Sequence, residues 1–599
     1  MLFAPIPEAI RASLARALRE MDESTDPDAI LVERPKNPEH GHYASNIALL
    51  EAKRLRKNPR EIANALAERL ASSRGVRADV APPGFLNFTI APEQYHAALA
   101  EIVADARAFL RAGGPGRADG RASRVLLEFV SANPTGPLNV VSARAAAVGD
   151  TIGRVLEAAG FDVAREFYVN DHGNQADLLG ESVRLFLVAQ EAGQDRPDAL
   201  PAEGYAGEYV GQIAREARPR IRAFTRDDEA GADDALLRTM RGDGPGLFER
   251  AERLAAERAA PLALSARGFA YLLREFALDR MLATQEADLR AFGVIYDRWF
   301  RESELHAREA THGALDRLRA AGHVFERDGA TWFRSTTFGD DQDRVLIKSD
   351  GAPTYFLADI AYHDDKRTRG YDFAIDLLGP DHHGHIPRLT GATRALGAGE
   401  HWLDVLIVQQ VNLLRAGEVV KMSKRRGEFV TLHDLMSDIG IDVARWFFLM
   451  RRCESHLDFD LDLAKKESDE NPVYYVQYAH ARIHGLFARA REAGFELPDA
   501  PPTAALLAPL IEPEAIEVMR VLQESRAAVY GAALGREPHR LTSYLTELAT
   551  AFHVFYHHHQ IVVPGDAATT TARLALCRGT QRVIREVLAL LGISAPERM

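Results

Sequence analysis

Over 6–21 and 59–72, apolar residues return every three or four positions between charged ones, which predicts amphipathic helices. Over 84–90 the order Gly-Phe-Leu-Asn-Phe-Thr-Ile alternates, which predicts a strand. Residues 1–110 therefore read as a small α/β domain. The stretch Arg111-Ala-Gly-Gly-Pro-Gly-Arg-Ala-Asp-Gly120 keeps neither period, and its glycines and single proline predict a linker. Beyond it, 125–130 reads as a strand, 131–137 as a loop, 139–159 as an alanine-rich helix and 161–169 as a strand, together a βαβ unit. Residues from about 180 to 290 carry a charged helical pattern with little strand signal. Short apolar runs broken by glycines and acids fill 329–384, and 405–410 reads as a buried strand. From 432 onward nearly everything has helical spacing. The outline is an N-terminal domain (1–110), an α/β nucleotide-fold core (120–460) with a helical insertion at about 180–290, and an all-α C-terminal bundle (465–599).

A length of 599 residues accommodates these units comfortably. The net charge of −13 excludes a uniformly basic nucleic-acid binder but leaves room for local basic patches. Two cysteines, Cys453 and Cys577, exclude a disulfide scaffold and a Cys-rich zinc module. No apolar run approaches the ~20 residues needed to span a bilayer. The first eight residues lack a basic segment followed by an apolar one. A cytosolic protein without a membrane partner is expected.

Two segments suggest chemistry. Lys421-Met-Ser-Lys-Arg-Arg426, followed by Gly427, concentrates positive charge on a loop that can close on a polyphosphate and its leaving group. A basic hexamer by itself is most often a solvated turn. Ser131-Ala-Asn-Pro-Thr-Gly-Pro-Leu138 leads from a strand into a helix N-terminus, where free N–H groups favour phosphate. Alone, it is most often a plain connection.

Taken together, these segments resemble the class I aminoacyl-tRNA synthetases, with Lys421–Lys424 matching their Lys-Met-Ser-Lys motif letter for letter. The chain as a whole resembles the bacterial-type arginyl-tRNA synthetases. The resemblance rests on 128–137, Glu166-Phe-Tyr-Val-Asn-Asp171, Asp350-Gly-Ala-Pro-Thr-Tyr-Phe-Leu-Ala-Asp359, Gly379-Pro-Asp-His-His-Gly384, 471–482, the terminal Ala595-Pro-Glu-Arg-Met599 and the N-terminal Glu39-His-Gly-His-Tyr-Ala-Ser-Asn46.

The resemblance implies a Rossmann-type core, a tRNA-binding N-terminal domain and an anticodon-binding helical domain of DALR type. It implies activation of L-arginine by ATP and transfer to tRNA(Arg), generally with the tRNA bound before activation is productive. By motif position, Lys421, Ser423 and Lys424 would serve catalysis with Asn139 and Ser142. Pro137, Asn139, Val141, Ser142, Gly379, Asp381, His382, Lys421, Met422 and Lys424 would line the ATP site. Glu128, Asn133, Tyr355, Asp359 and His383 would hold arginine, with Glu128 and Asn133 at its amino and carboxylate end. Tyr355 and Asp359, at i and i+4, would share a helical face and grip the side chain. A carboxylate suits a guanidinium, and a site that hydrogen-bonds its substrate rejects analogues without an editing domain. Mg²⁺ is expected with ATP, no structural metal is expected, and the chain is expected to be a monomer.

One departure stands out. Where the class carries His-x-Gly-His, this chain has Asn139-Val140-Val141-Ser142. Asn139 and Ser142 can still donate hydrogen bonds, but neither carries charge, and Val141 puts a branched side chain where glycine would leave the backbone open. Two readings follow: an active variant, or a non-catalytic arginine- or tRNA-binding paralogue. The other motif residues are all present, which favours the active variant. His553 and His557 at i, i+4, and the group His382, His383 and His385, have spacing that could suit a metal, but the first reads as a core or tRNA-facing cluster and the second as part of the substrate site. Lys53–Lys57 reads as a solvated helix face. Tyr474, Tyr475, Tyr478 and His480 read mostly as a core stripe, with base stacking by the aromatic faces as the alternative.

Overall fold

The computed structural model describes residues 6–21, 29–35, 37–71, 75–111, 122–226, 232–241, 246–420, 430–496 and 500–599. Helices α2 (Ile47–Leu55) and α3 (Pro59–Leu70) pack on an antiparallel sheet of β1 (Tyr43–Ser45), β2 (Val76–Ala81) and β3 (Phe85–Ile90), ordered β1-β3-β2, and α1 (Ile6–Arg19) packs on α3. The alternation over 84–90 does its work here: Leu86, Phe88 and Ile90 face inward and are buried. The sequence pattern did not single out the long helix that follows, α4 (Glu93–Leu110).

The central sheet is wholly parallel. Its strands are β4 (Arg124–Glu128), β5 (Asp162–Val169), β6 (Arg298–Arg301), β7 (Phe373–Leu378) and β8 (Leu403–Ile407), in the order β8-β7-β4-β5-β6. The first strand in the chain lies in the middle, so successive connections leave it in opposite directions. The crevice at the carboxyl ends of β4 and β7 is the switch point where such sheets bind ligands. Helix α5 (Val140–Ala158) returns the chain from β4 to β5 and is almost wholly buried. Its Gly149 lies so close to Phe129 that an added Cβ would stand 2.3 Å from the ring, which fixes the small residue there.

Between β5 and β6 the chain builds a helical lobe with a core of its own, including Leu179, Val210, Phe248, Leu272 and Phe276. Two helices of this lobe, α6 (Asn174–Glu191) and α7 (Ala266–Ala291), run side by side. Short helix α8 (Glu302–Ala307) follows β6, and α9 (Tyr355–Thr368) precedes β7. After β8, Val411–Arg415 pairs in parallel with Leu457–Asp460, a strand in the region whose pattern is nearly all helical. Its four residues are too short for a periodic signal, and its partner lies far back in the chain.

The C-terminal bundle consists chiefly of α10 (Pro472–Glu492), α11 (Pro513–Gly535), α12 (His539–His558) and α13 (Ala567–Leu590). One continuous apolar core joins it to the N-terminal domain and to α5, with Ile102, Ile152, Leu545 and Val583 among its members. Helix α4 is the wedge between the two ends of the chain. Its Leu99 meets α13 at Gly579, where a Cβ would stand 2.6 Å from the leucine methyl. Arg526 Nε donates to the Phe109 carbonyl at 2.6 Å. The sequence reading set a boundary after this helix but gave no sign of that contact.

Candidate active site

Three acids mark the carboxyl end of the sheet. Glu128 on β4 is in register with Asp376 on β7 and with Glu166 on β5, so the three share one row and one face. Helix α9 covers that row. Lys366 Nζ, fully buried, donates to Glu128 Oε2 at 2.5 Å and to Asp376 Oδ1 at 2.8 Å. His363 Nε2 lies 2.7 Å from Asp376 Oδ2, and its Nδ1 lies 2.7 Å from the Asp359 carbonyl. Arg369 grips Glu166 with two bonds, at 2.6 and 2.8 Å, and the Tyr362 hydroxyl donates to the same carboxylate at 2.8 Å. Burial alone would discharge Lys366, but Asp376 and Glu128 together hold its pKa above the ordinary lysine value. Burial opposes the Asp376 charge too, yet Lys366 and His363 hold its carboxyl down at about 2. Glu128 goes the other way, because burial outweighs the attraction of Lys366 and raises its pKa.

The sequence reading aimed Glu128 at the amino end of an amino-acid substrate. In the structure Glu128 is 5% exposed and both its oxygens are engaged, one by Lys366 and one by Ser131 Oγ at 2.8 Å. The carboxylate therefore braces the loop that follows it. Lys366 escaped the sequence reading. The signal was a run of polar residues at 359, 363 and 366, at the helical spacing of one face of α9.

That loop is strained. Val130 and Ser131 have φ of 67° and 40°, unusual for residues with side chains and a branched one above all. Ser131 Oγ holds the bend, because it also accepts the Tyr168 N–H at 3.1 Å. The helical lobe clamps the rest of the loop. Gln285 Nε2 on α7 donates to the carbonyls of Asn133 (3.1 Å) and Gly136 (2.9 Å), and the Tyr209 hydroxyl donates to Thr135 at 2.8 Å. The exposed Asn133 side chain donates to Gln175 at 2.7 Å.

At the start of α5, Asn139 is the N-cap. Its Oδ1 accepts the N–H groups of Val141 and Ser142, each at 3.0 Å. Two of the amides expected to be free for phosphate are thus occupied by the chain itself, and only the Asn139 Nδ2 end of the amide can turn toward a ligand. Pro137, Val141 and Ser142 are half-buried beside it. Asn139 also forms a β-bridge with Thr431, and Leu432 N donates to the Leu138 carbonyl at 2.8 Å. The segment downstream of the Lys-Met-Ser-Lys motif is therefore fastened to the helix N-terminus. Lys421, Met422, Ser423 and Lys424 themselves lie outside the described residues. Fully buried Arg144 on α5 donates to the carbonyls of Gln409 (3.0 Å), Ser455 (2.8 Å) and Arg452 (2.8 Å), tying the helix to the chain after β8.

Across the crevice, Gly379, Asp381, His382 and His383 follow β7, with the last three exposed on a 3₁₀ turn. Tyr355 opens α9 and is 73% exposed. Asp359, one turn on, is half-exposed, and its Oδ2 stands 3.0 Å from His385 Nε2.

The remaining candidates fall elsewhere. His553 packs against Tyr475 at 4.7 Å, and its Nδ1 lies 3.3 Å from Arg482, while His557 is exposed. Tyr478 stacks with Tyr474 at 6.3 Å and carries Arg482 over its ring at 4.4 Å. Tyr475 packs against the core and His480 is buried, as a core stripe requires, while Tyr474 and exposed Tyr478 join Arg482 in a surface of rings and a guanidinium. Among the described residues, one group has the spacing of a metal site: His172, Glu302 and His306, which the sequence reading did not consider.

The parallel sheet, with the loop and helix at its switch point, lies in segments that match the catalytic domain of the class I aminoacyl-tRNA synthetases. Residues 107–192 and 281–450 match the family model "tRNA synthetases class I (R), catalytic domain". Residues 8–90 match "Arginyl tRNA synthetase N terminal domain", and 476–599 match "DALR anticodon binding domain". The chain belongs to the arginyl-tRNA synthetases. It is 45% identical to an arginine–tRNA ligase of Frankia alni over 100% of both chains. It is 43% identical to an arginine–tRNA ligase of Halorhodospira halophila over 98% of this chain and 99% of that one. The fold is also that of the Thermus thermophilus arginyl-tRNA synthetase, at 24% identity and a TM-score of 0.70, covering 99% of this chain and 100% of that one. No described helix is long and apolar enough to cross a membrane.

Proposed function

We propose that this chain joins L-arginine to its tRNA in two steps, through the residues assembled at the switch point. The arginine carboxylate attacks the α-phosphorus of ATP, which arrives with Mg²⁺, and pyrophosphate leaves. The 3′-terminal adenosine of tRNA(Arg) then attacks the arginyl carbonyl through a ribose hydroxyl, and AMP leaves. Side chains do little covalent chemistry in such a reaction. Positioning and charge stabilisation carry it.

Lys421 and Lys424 neutralise the departing pyrophosphate, and Ser423 and Met422 shape their loop. Asn139, through Nδ2, and Ser142, through its hydroxyl, replace the class histidines as neutral donors beside Pro137 and Val141. Gly379, Asp381 and His382 border the nucleotide. Tyr355 and Asp359 receive the guanidinium side chain near His383, and Asp359 exchanges His385 for it. Asn133 meets the amino-acid end, and Glu128 acts through the loop it braces. The chain acts as a monomer in the cytoplasm.

The observation that carries this reading is the Asn139–Thr431 bridge. It fastens Thr431, which follows the lysine motif in the chain, to the helix N-terminus that carries the variant sequence at 139–142, and so supports a shared role for the two segments. The test is charging of tRNA with labelled arginine in the presence of ATP and Mg²⁺, beside Lys424→Ala. A charge-assisted contact of this kind contributes about 1.5–3 kcal/mol, so the variant is expected to lose roughly tenfold to 150-fold in rate. Folded chain that binds tRNA but charges none would overturn the reading in favour of a binding paralogue.

A further inference from the structure

Two neighbouring strands, β5 and β6, end side by side, with Val169 in register with Arg301. The residues just beyond both ends converge. His172 sits on the loop after β5, while Glu302 and His306 occupy one face of α8, four residues apart. One ligand atom from each of the three lies within 4.8 Å of the others. Ligands around a tetrahedral ion with bonds near 2.1 Å stand about 3.4 Å apart, so side-chain rotation of about an ångström closes the set.

The surroundings are those of a built site. Glu302 is buried, and two neighbours flank its carboxylate. The Tyr168 phenol lies near it, and the Asn170 amide, in the orientation that satisfies its neighbours, donates to Oε2 at 3.2 Å. Oε1 faces His306 Nε2 at 3.6 Å. That nitrogen is buried and has no hydrogen-bond partner, an orphan that calls for a ligand. The His172 ring lies 4.5 Å from the His306 ring. Asp171, next to His172, accepts from Ser303 N (2.9 Å) and Ser303 Oγ (2.7 Å), so the loop and the helix that carry the three groups are fixed to each other. Two imidazoles and a carboxylate, with a position left for water, form the donor set of a borderline divalent ion such as Zn²⁺ and a poor one for Mg²⁺.

We propose that His172, Glu302 and His306 form a divalent transition-metal site on the wall of the amino-acid pocket, and that the bound ion opposes entry of the cationic substrate. The second half rests on the placement of arginine at Tyr355 and Asp359. The site adjoins those residues. A Cβ on Gly173 would stand 3.6 Å from the Tyr355 hydroxyl, and the Tyr168 phenol lies within the electrostatic reach of both Glu302 and Asp359. A dication there adds positive charge beside the seat of a guanidinium and takes up the Glu302 carboxylate.

The test titrates Co²⁺ into the full-length, EDTA-treated and desalted chain and reads visible ligand-field absorption, beside His172→Ala and His306→Gln. Circular dichroism establishes that both variants fold. One Co²⁺ per chain is expected, displaced by Zn²⁺, with affinity at least tenfold weaker in each variant. Absence of stoichiometric Co²⁺ binding, or equal binding by both folded variants, overturns the site. A second arm measures the arginine KM in saturating Mg²⁺ with and without Zn²⁺. A several-fold rise in the parent chain and none in His172→Ala is expected. An unchanged KM on the metal-loaded parent overturns the coupling to arginine and leaves the site standing. Charging without added Zn²⁺ reads the arginine assignment separately, so failure there is distinct from failure of the metal site.

Discussion

At the scale of single residues, Lys366 holds together the most charged part of the interior. It stands between Glu128 and Asp376 with no solvent to replace it. Lys366→Met removes the cation and leaves two buried carboxylates facing each other. Breaking a buried pair in this way costs about 3–5 kcal/mol, so a large fall in the urea midpoint is expected. Asp376 sets a pH dependence of known sign. Its unfolded value is 3.8 and its folded value about 2, so the stability it contributes is complete above about pH 4 and disappears as pH falls to 2. The stability gap between the parent chain and Asp376→Asn, followed by denaturant titration, is expected to close over that window. A gap that persists at pH 2 would show the effect to be steric. The residues of the site were legible in unequal measure. Asn139, Tyr355 and Asp359 could be singled out because each stands in a recognisable segment. Lys366, Ser131, Arg144 and Gln285 were missed because their partners lie on distant strands and helices, and no local pattern records such pairings.

At the scale of elements, α5 presents two demands at one residue. Asn139 caps the helix with Oδ1 and is assigned a ligand contact with Nδ2. Substitution separates them. Aspartate caps as well as asparagine, so Asn139→Asp is expected to keep its stability to within a few tenths of a kcal/mol. The added negative charge beside the phosphates is expected to raise the ATP KM about tenfold. Asn139→Ala loses the cap and about 1 kcal/mol, read in thermal unfolding. Strong periodicity made the elements of the βαβ unit readable to within a residue or two: the helix expected over 139–159 runs from Val140 to Ala158. The pairing of Leu457–Asp460 with Val411–Arg415 was not readable, since a four-residue strand has room for only two alternations and its partner is fixed by tertiary packing.

At the scale of the whole molecule, the two ends of the chain share a core. Arg34 reaches Glu517 at 2.5 Å, the Tyr43 hydroxyl donates to Glu524 at 3.0 Å, and buried Arg520 gathers Glu517, Glu524 and Glu547 around it. The N-terminal domain and the bundle are therefore expected to melt together in calorimetry. Leu99→Asp, which puts a charge into the α4–α13 contact, is expected to split that transition in two. Composition and periodicity separated the ends into different units and could not show that they meet. The meeting imposes a wait during synthesis. Helix α4 leaves the ribosome with its apolar face complete, but the bundle that covers it is encoded roughly 400 residues later, or on the order of 20–80 s at ordinary elongation rates. For that interval the nascent chain carries an apolar surface that the folded protein covers. An enzyme of the family that supplies the ribosome with arginine thus cannot cover its own N-terminal domain until the bundle has been translated.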